Sequence, residues 1–510
     1  RINSQFNLSL VGFGAQIEGP LPGSKGSWMI SGNRSYMNII NDLLDETDIP
    51  VFHDIQGKLD YILNDSNRLS FLVLIGQSRS RDDPSANRII GDIVVDMPYG
   101  SENYTMPTVG FNWRHLWGNK GYSDTSISFS MMKARDETRL TSTDELLEFW
   151  EYKQSWITFR NVNRLQLSLA HQFKFGFEVQ SIQFRTSDYL DSVEKKYSGT
   201  FAAGFITYIV YPFSNFSISS GVRLDYMPLS ERTHISPRIS FSWALTKRFS
   251  INGAYGMFYQ QMPLFLIKQH PDNVKLKDPQ ARHFVLGFKY ILRPDTQLKL
   301  EAYDKQYNHF PMSPLNPYLF IIDDVSGEFD KFLNWGNFVD TGKAYARGVE
   351  LTLQKKLSKK FNGILNLTYY RARYQDLTGV WRNRLFDNRF IICLSGGYKP
   401  TKNWEFNAQW IWSGNRAFSP VNQEKSKELG LPYVESTDIM SDYLSDYGSL
   451  SVRVDRRFFF SKSNLVIFIG ALNALNHNNE LQRTWDTWDN RYVSEYMWGI
   501  IPYIGLEFEF

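Results

Sequence analysis

The segment that decides the fold is Trp404–Ser413, which reads WEFNAQWIWS. Nearly every second residue in it is aromatic, and the residues between them are mostly polar. Because successive side chains point to opposite faces of a β-strand, this order predicts a strand with one apolar and one polar face. Similar alternation occurs at 216–226, 235–245, 249–259, 361–369 and 447–455.

Two classes of protein contain strands of this kind: water-soluble β-sandwiches or propellers, and transmembrane β-barrels. The segments here span about ten residues, which is the length that a tilted strand needs to cross a bilayer. Soluble strands average about five to six residues. The polar faces also carry arginine and aspartate in mid-strand, which suits a wet lumen. The pattern therefore favours an all-β, antiparallel transmembrane barrel.

The composition restricts the alternatives further. The chain has 510 residues, of which 16% are aromatic, and its formal net charge is +3. This near-balance of charge predicts no nucleic-acid partner. The longest apolar runs, such as 465–472, are much shorter than the roughly 20 residues of a transmembrane helix. The single Cys393 cannot form an internal disulfide.

Turn signals of two sizes divide the chain. Short turns are predicted at 20–26, 64–67, 118–121, 170–172, 212–215, 246–248, 293–296, 357–360, 399–403 and 461–464. They alternate with longer loops, among them 308–341 and 414–446. Bacterial outer-membrane barrels have short periplasmic turns opposite longer extracellular loops. Counting these connections predicts 21 strands, the first near 5–19 and the last near 495–510.

The predicted strand number is odd, whereas single-chain bacterial barrels have an even number of strands. We therefore expect a 22-stranded barrel whose first strand lies before Arg1, which places Arg1 and Phe510 on opposite sides of the membrane. A barrel of this width is not filled by its own side chains. The expected plug domain is not recognised in residues 1–510, which form the barrel domain; it precedes Arg1, comes from another chain or is absent.

The mid-strand charges are candidates for lumen residues. They either form salt bridges to a plug or line a substrate path. The predicted set is Arg223, Asp225, Arg238, Glu350, Arg453 and Asp455.

The loop at 308–341 is rich in apolar rings for a segment that faces water. Its candidate residues are Phe310, Tyr318, Phe320, Phe329, Phe332 and Trp335. They either pack on neighbouring loops or a plug, or form a docking site for a surface lipoprotein, another outer-membrane subunit or a ligand.

The sequence gives little support for catalysis. Its histidines include no pair at metal-ligand spacing, and it contains neither a G-x-S-x-G elbow nor a Walker loop. We predict that the protein is not an enzyme and has no metal site and no cofactor.

Several dispersed motifs occur in the order found in a known family. They are Gly12-Phe13-Gly14, Arg34-Ser35-Tyr36, Ser236-Pro237-Arg238, Arg347-Gly348-Val349-Glu350 and Asn473-Ala474-Leu475-Asn476. Together they resemble the barrel of TonB-dependent outer-membrane receptors, in particular the form common in Bacteroidota. The terminal residues Leu506, Phe508 and Phe510 resemble the signal that the barrel-assembly machinery reads.

The resemblance implies a function in the bacterial outer membrane. That function is import of a nutrient ligand, from the siderophore, vitamin, peptide or small glycan class, through a plugged lumen. The implied partners are the lipid bilayer, the barrel-assembly machinery and a TonB-type energy-coupling protein that contacts an N-terminal region not found in 1–510. The alternative is a non-transporting barrel of the same type that serves as a scaffold subunit of a larger outer-membrane complex.

Overall fold

The computed structural model describes residues 2–36, 51–81, 88–90, 93–95, 98–188, 195–267, 269–324, 336–358 and 360–510. Within these ranges, one antiparallel sheet curls into a closed β-barrel of 22 strands. The predicted all-β barrel fold is confirmed. The helices found in the same ranges are too short or too polar to cross a membrane.

The barrel is built from strands that follow one another in chain order. They are β1 (Asn3–Ser9), β2 (Gly12–Pro20), β3 (Gly26–Ser35), β4 (Val51–Asn64), β5 (Asn67–Arg81), β8 (Pro98–Leu116), β9 (Gly121–Leu140), β10 (Leu146–Ser168), β11 (His171–Asp188), β12 (Lys195–Phe213), β13 (Phe216–Met227), β14 (Arg232–Ala244), β15 (Phe249–Tyr259), β16 (Gln280–Arg293), β17 (Thr296–Met312), β18 (Val339–Ser358), β19 (Phe361–Gln375), β21 (Phe390–Tyr398), β22 (Trp404–Ser413), β25 (Tyr447–Phe459), β26 (Asn464–Leu472) and β29 (Ile501–Glu509).

The remaining elements lie in the connections. They are the short strands β6 (Arg88–Ile90), β7 (Ile93–Val95), β20 (Trp381–Asn383), β23 (Ala417–Phe418), β24 (Asp442–Tyr443), β27 (Glu480–Asp486) and β28 (Arg491–Tyr496), the helices α1 (Leu264–Ile267), α2 (Ile321–Asp324) and α3 (Gln423–Leu429), and 3₁₀ turns at Pro22–Ser24 and Pro271–Lys275.

The apolar residues of neighbouring strands form continuous rows on the outside of the barrel. Trp410 is opposite Leu394 on β21 and Leu450 on β25. The Trp410 and Leu394 side chains are 38% and 49% exposed, although both are strongly apolar. An apolar band of this extent is the lipid-facing surface of a membrane barrel.

The strand count within the chain corrects the sequence prediction. The single strand predicted at 5–19 is a hairpin, because β1 and β2 pair with each other across a turn at residues 10–11. All 22 barrel strands therefore lie within the chain, and the expectation of a first strand before Arg1 is wrong. The predicted last strand is also shorter, because β27 and β28 pair with each other in the preceding loop.

Pairing of β1 with β29 closes the barrel. The Ser4 amide donates to the Phe510 carbonyl oxygen at 2.8 Å, so the two chain ends lie side by side at the end that carries the short turns. The first strand therefore starts at the same end as Phe510, so the predicted opposite placement is wrong for the same reason as the strand count; Arg1 itself lies outside the described residues. The ten predicted short turns all occur at this end. The longer connections and the tight turn at 10–11 form the opposite end, which we call the mouth.

Candidate functional site

The lumen wall carries a row of basic residues that crosses several neighbouring strands. Strand register places Arg164, Lys174, Arg238, His283 and Lys305 in one inward row, with Thr207, Gly221 and Gly256 between them. We call these five basic residues the inner cation row. Strands β10 to β17 bring them together although they are far apart in the sequence.

The row borders a shallow cavity of about 500 Å³. Its lining includes Arg160, Lys174, Arg223, Arg238 and His283, and none of its lining residues is acidic. Thr207, Gly221 and Gly256 are small, so the wall between the cations projects little into the lumen. A Cβ atom at Gly221 would lie 2.7 Å from Thr207 Oγ1, so a larger side chain does not fit there without movement.

Only part of this charge is neutralised by the wall itself. Arg223 Nε lies 2.7 Å from Asp225 Oδ1, and Arg160 Nε lies 3.5 Å from Glu178 Oε2. Lys174 and Arg238 form no ion pair with any residue in the described ranges. The Arg238 guanidinium lies 4.5 Å from the centroid of the Phe258 ring. The cavity therefore offers cationic groups to an anion.

The partly buried His283 side chain adds a polar group to the same wall. Its Nε2 atom is inaccessible to solvent and has no hydrogen-bond partner within the described part of the chain. The ring packs against Phe258, with centroids 4.8 Å apart. Since buried polar atoms are normally hydrogen-bonded, this nitrogen lacks the partner that such an atom usually has.

At the mouth, two loops fold inward and form an apolar cluster with β11. Ile182 and Phe184 from the strand meet Leu266 from the loop 260–279 and Ile321 and Phe338 from the loop 313–338. Burial of these side chains removes apolar surface from water and holds the loops inside the barrel.

A buried asparagine joins the two loops. The Asn273 side chain donates to the carbonyl oxygens of Leu266 and Gly336 at 3.2 and 3.3 Å, and its oxygen accepts from the Phe338 amide at 2.9 Å. The asparagine is fully buried. These hydrogen bonds satisfy backbone groups of both loops and fix their relative position.

A second apolar cluster continues along the mouth from the first. It contains Met312, Phe320, Ala344 and Tyr374, and Phe310 packs against it. The Phe310 and Phe320 ring centroids are 5.5 Å apart. This part of the loop therefore packs inside the mouth.

Buried ion pairs tie the next loops to these clusters. Arg382 Nε lies 2.5 Å from Asp376 Oδ2, and both side chains are almost entirely inaccessible to solvent. Burial raises the pKa of the Asp376 carboxyl, but hydrogen bonds from Thr378, Arg382 and the Val380 amide outweigh it and lower that pKa overall.

Two further pairs extend this network. Arg384 donates to both carboxylate oxygens of Asp323, and Arg371 Nε donates to Asp387 at 3.0 Å. Tyr443 Oη donates to the same Asp387 carboxylate at 2.8 Å. The loops at 313–338, 376–389 and 414–446 are thus connected by charge-assisted hydrogen bonds.

Glu480 anchors the last loop in the same way. Its carboxylate accepts from the Ser445 amide at 3.0 Å, from Arg483 at 2.7 and 2.8 Å and from Ser494 Oγ at 2.6 Å. Burial raises the pKa of Glu480, but these donors prevail and lower it to about 2. The mouth is therefore a folded layer built from several loops.

Comparisons with known proteins place this architecture in a family. Residues 52–474 match the family model described as TonB dependent receptor-like, beta-barrel. The chain belongs to the TonB-dependent receptor β-barrel family. This confirms the predicted resemblance to TonB-dependent receptors and the bacterial outer-membrane location, whereas the Bacteroidota form stays a prediction. No curated protein matches the chain.

Solved structures of several iron-chelate receptors share the fold at low sequence identity. The ferric enterobactin receptor of Pseudomonas aeruginosa superposes with a TM-score of 0.69 at 15% identity, and the match covers 100% of this chain and 80% of that one. The ferripyoverdine receptor of the same organism gives 0.74 at 11% identity, covering 100% and 71%. The ferric-catecholate import receptor Fiu of E. coli K12 gives 0.70 at 10%, covering 100% and 81%.

In this TonB-dependent receptor barrel, the predicted lumen charges lie in three separate sectors. Arg238 on β14 belongs to the inner cation row, and Arg223 and Asp225 lie beside it on β13. Glu350 lies on β18, opposite Glu301 and Thr368.

Arg453 and Asp455 form the third sector on β25. Arg453 contacts Asp455 at 2.6 Å and Glu507 at 3.0 Å, and it lies 3.9 Å from the Phe468 ring centroid. This sector is internally paired, in contrast to the inner cation row. Sequence reasoning missed Arg164, Lys174, His283 and Lys305, although each occupies a polar-face position of its strand.

The predicted loop residues of the receptor divide into two groups. Phe310 and Phe320 pack in the second apolar cluster, and the Tyr318 ring lies 5.4 Å from the Arg382 guanidinium. Phe329, Phe332 and Trp335 lie outside the described residues.

The predicted assembly residues lie at the seam of the barrel. Leu506 and Phe508 on β29 are opposite Leu8 and Phe6 on β1. The Phe510 ring stacks on Phe6 with centroids 6.0 Å apart. All three terminal residues lie on the outward-facing side of the terminal strand. Their recognition by the assembly machinery stays a prediction.

Proposed function

We propose that this barrel is the wall of an outer-membrane transporter that imports an anionic nutrient ligand of the ferric siderophore class. The observation that carries the proposal is the inner cation row, where Lys174 and Arg238 lack counter-charges in the described wall. A ferric catecholate is anionic because its phenolate oxygens outweigh the ferric charge. Neutral glycans and most peptides gain less from such a wall.

The solved relatives support the same ligand class. They are receptors for ferric enterobactin, ferripyoverdine and ferric catecholates. Basic walls concentrate anions locally and raise their rate of association, so the cation row favours entry of a negatively charged chelate.

In the proposed transport cycle, the ligand binds at the mouth and passes the cation row on its way to the periplasm. The residues of this chain supply binding, orientation and an electrostatic gradient, and no covalent chemistry is involved. A plug domain closes the lumen at rest, and a TonB-type protein supplies the energy that moves it.

The test compares cells that carry the natural full-length protein with cells that lack it. We expect uptake of radioactive iron presented as an anionic tris-catecholate complex, and loss of that uptake when the energy-coupling protein is absent. A neutral iron chelate of similar size serves as the control ligand. Equal uptake of both chelates would contradict the anionic specificity.

The alternative function is a scaffold subunit in a larger outer-membrane complex. It predicts that the assembled protein takes up none of these ligands and co-purifies with other outer-membrane subunits. The uptake assay therefore separates the two functions directly.

A further inference from the structure

A separate cavity lies at the mouth ends of β25, β26 and β29, which are strands that contribute nothing to the inner cation row. Its volume is about 610 Å³, within the range of roughly 300–1,000 Å³ that is usual for small-molecule sites. Strand alternation puts Tyr447 and Ser449 on the same face of β25 as Arg453. The cavity therefore lies on the lumen side of the wall.

The lining of this cavity combines aromatic rings with a single charged side chain. Its rings are Tyr447, Tyr496 and Trp498, and its charged residue is Glu495. We call it the aromatic mouth cavity. Tyr496 is 55% exposed and Trp498 is 36% exposed, so both rings are accessible to a ligand. None of the lining residues is basic, which makes this cavity opposite in charge to the one beside the inner cation row.

The three rings of the aromatic mouth cavity have no partner on their faces. Within the described residues, no basic group and no other ring stacks on them. Other rings at the mouth do have such partners. The Arg389 guanidinium lies 4.0 Å from the Tyr443 ring centroid, and the Arg483 guanidinium lies 5.1 Å from that of Phe418. The negative faces of the cavity rings are therefore free to attract a cation.

The Glu495 carboxylate also lacks a counter-charge. It accepts a hydrogen bond from Gln482 Nε2 at 2.6 Å, and it forms no ion pair with any residue that the structure describes. The nearby Glu480, by contrast, is paired with Arg483 at 2.7 Å. Glu495 thus gives the cavity a negative charge that the protein does not balance.

Two asparagines of the motif at 473–476 hold the segment that carries the rings. Asn473 Nδ2 donates to the Trp498 carbonyl oxygen at 3.4 Å, and Asn476 Oδ1 accepts from the Ile500 amide at 2.9 Å. Asn473 is buried. The motif therefore fixes the backbone on one side of the cavity.

A third asparagine joins this segment to the opposite side of the cavity. Asn479 is 2% exposed, and its side chain exchanges hydrogen bonds with the amide and the carbonyl oxygen of Gly448 at 2.8 and 2.9 Å. Its own carbonyl oxygen accepts from the Met497 amide at 2.7 Å. Because both sides are held in place, a ligand that binds here orders few additional groups.

We propose that the aromatic mouth cavity binds a quaternary ammonium group such as that of choline. Aromatic rings attract these cations, and a quaternary nitrogen carries no N–H group that needs a hydrogen-bond acceptor. Leu472, Leu481 and Met497 in the same lining offer apolar surface to its methyl groups. A primary ammonium group is more strongly hydrated and meets only one carboxylate here. The site is independent of the proposed chelate import, because it uses other strands and the opposite charge.

The experiment measures binding of choline to the full chain in a non-ionic detergent by saturation-transfer NMR. The control ligand is 3,3-dimethylbutan-1-ol, which has the shape of choline without its charge. We expect choline to bind at least about tenfold more tightly than this alcohol, because the ring faces and the carboxylate attract only the cation. Equal affinity for the two compounds, or no binding of choline, would overturn the proposal without any variant.

Variants locate the site. Trp498→Leu should weaken choline binding about tenfold, and Glu495→Gln should weaken it about fivefold. Trp488→Leu is the matched control and should have no effect, because Trp488 is 80% exposed between β27 and β28 and does not line the cavity. A heat-modified shift in gel mobility shows that each variant is folded. Unchanged choline binding by folded Trp498→Leu would place the ligand elsewhere and refute the assignment.

Ethanolamine tests whether the rings select a quaternary nitrogen. It has the same alcohol group as choline but a primary ammonium group, and we expect it to bind at least about fivefold more weakly. Equal affinity for ethanolamine and choline would make Glu495 a simple ion-pair site and would refute the proposed selectivity.

Discussion

Strand β11 passes from an open lumen into a packed mouth between Lys174 and Phe184, and both side chains point inward. Lys174 belongs to the inner cation row and is exposed, whereas Phe184 is 4% exposed and belongs to the first apolar cluster. The mouth is held by apolar burial and buried ion pairs, and the wall below it is held mainly by the hydrogen bonds between strands. We therefore expect substitutions at the mouth to change stability and substitutions in the row to change transport.

The largest effect is expected from Arg382→Ala at the mouth. The change leaves the Asp376 carboxylate buried without its 2.5 Å partner. Removing one partner of a buried ion pair costs about 3–5 kcal/mol. Hydrogen exchange of the segment 376–389, followed by mass spectrometry, should show faster opening. Arg347→Ala, at a pair that is half exposed, is the matched control and should have little effect.

Leu266→Ala tests the first apolar cluster. Leu266 is fully buried, and deletion of a buried leucine side chain costs about 2–5 kcal/mol. We expect the loop 260–279 to become sensitive to protease while the barrel keeps its thermal stability. Val274 in the same loop is 42% exposed, so Val274→Ala should leave cleavage unchanged. If Leu266→Ala resisted the protease as well as the unaltered protein, this would argue against a folded mouth.

Glu480 gives the mouth a dependence on pH. Because its pKa falls from 4.5 to about 2 on folding, the carboxylate stabilises the loop fully above pH 4.5 and loses this contribution as the pH falls toward 2. The contribution at neutral pH is roughly 3 kcal/mol. As the pH falls from 4.5 to 2, the amides of 480–496 should therefore exchange faster, after correction for the intrinsic exchange rate at each pH.

Glu480→Gln is the control for that titration. The variant should be less stable at neutral pH, and its loop stability should vary less between pH 4.5 and 2. A pH profile identical to that of the unaltered protein would show that another group titrates.

The smallest energetic effect is expected in the lumen. Lys174→Gln combined with Arg238→Gln removes two unpaired cations and should lower ferric siderophore uptake at low concentration by roughly tenfold. The melting temperature should change little, because neither residue forms an ion pair within the described part of the chain and only the contact of Arg238 with the Phe258 ring is lost. Arg347→Gln is again the control. Full uptake by the double variant would show that the inner cation row does not contribute to transport.

The barrel was predictable because its strands are long and strictly alternating. The repeat of apolar residues in Trp404–Ser413 indicates the lipid face directly, and turn residues such as Asn64 and Asn67 mark the short turns. The turn at residues 10–11 was missed because leucine and valine give no turn signal. The only sign of this turn is that the lipid-facing residues change from even to odd numbers. Phe6 and Leu8 face lipid before the turn, and Phe13 and Ile17 face lipid after it.

The candidate site was less predictable because it depends on register between strands. Lys174 and Arg238 become members of one row only through the intervening pairs on β12 and β13. Alternation shows which face a residue occupies but not its height. The contacts at the mouth could not be predicted from the sequence for a similar reason. Asn273 and Phe338 lie in two loops, and loops show no apolar periodicity that would indicate which residues meet.

The seam between β1 and β29 has a consequence for biogenesis. It joins residues from the two ends of the chain, from Gln5 with Glu509 to Ser9 with Gly505. The cylinder cannot be completed before the final residues arrive, and bringing such distant ends together costs roughly 5–6 kcal/mol of chain entropy. Until then β1, only seven residues long, is an open edge that must be shielded from other strands. Insertion of this protein therefore depends on β29, and a truncation in that strand would leave an unclosed sheet in the periplasm.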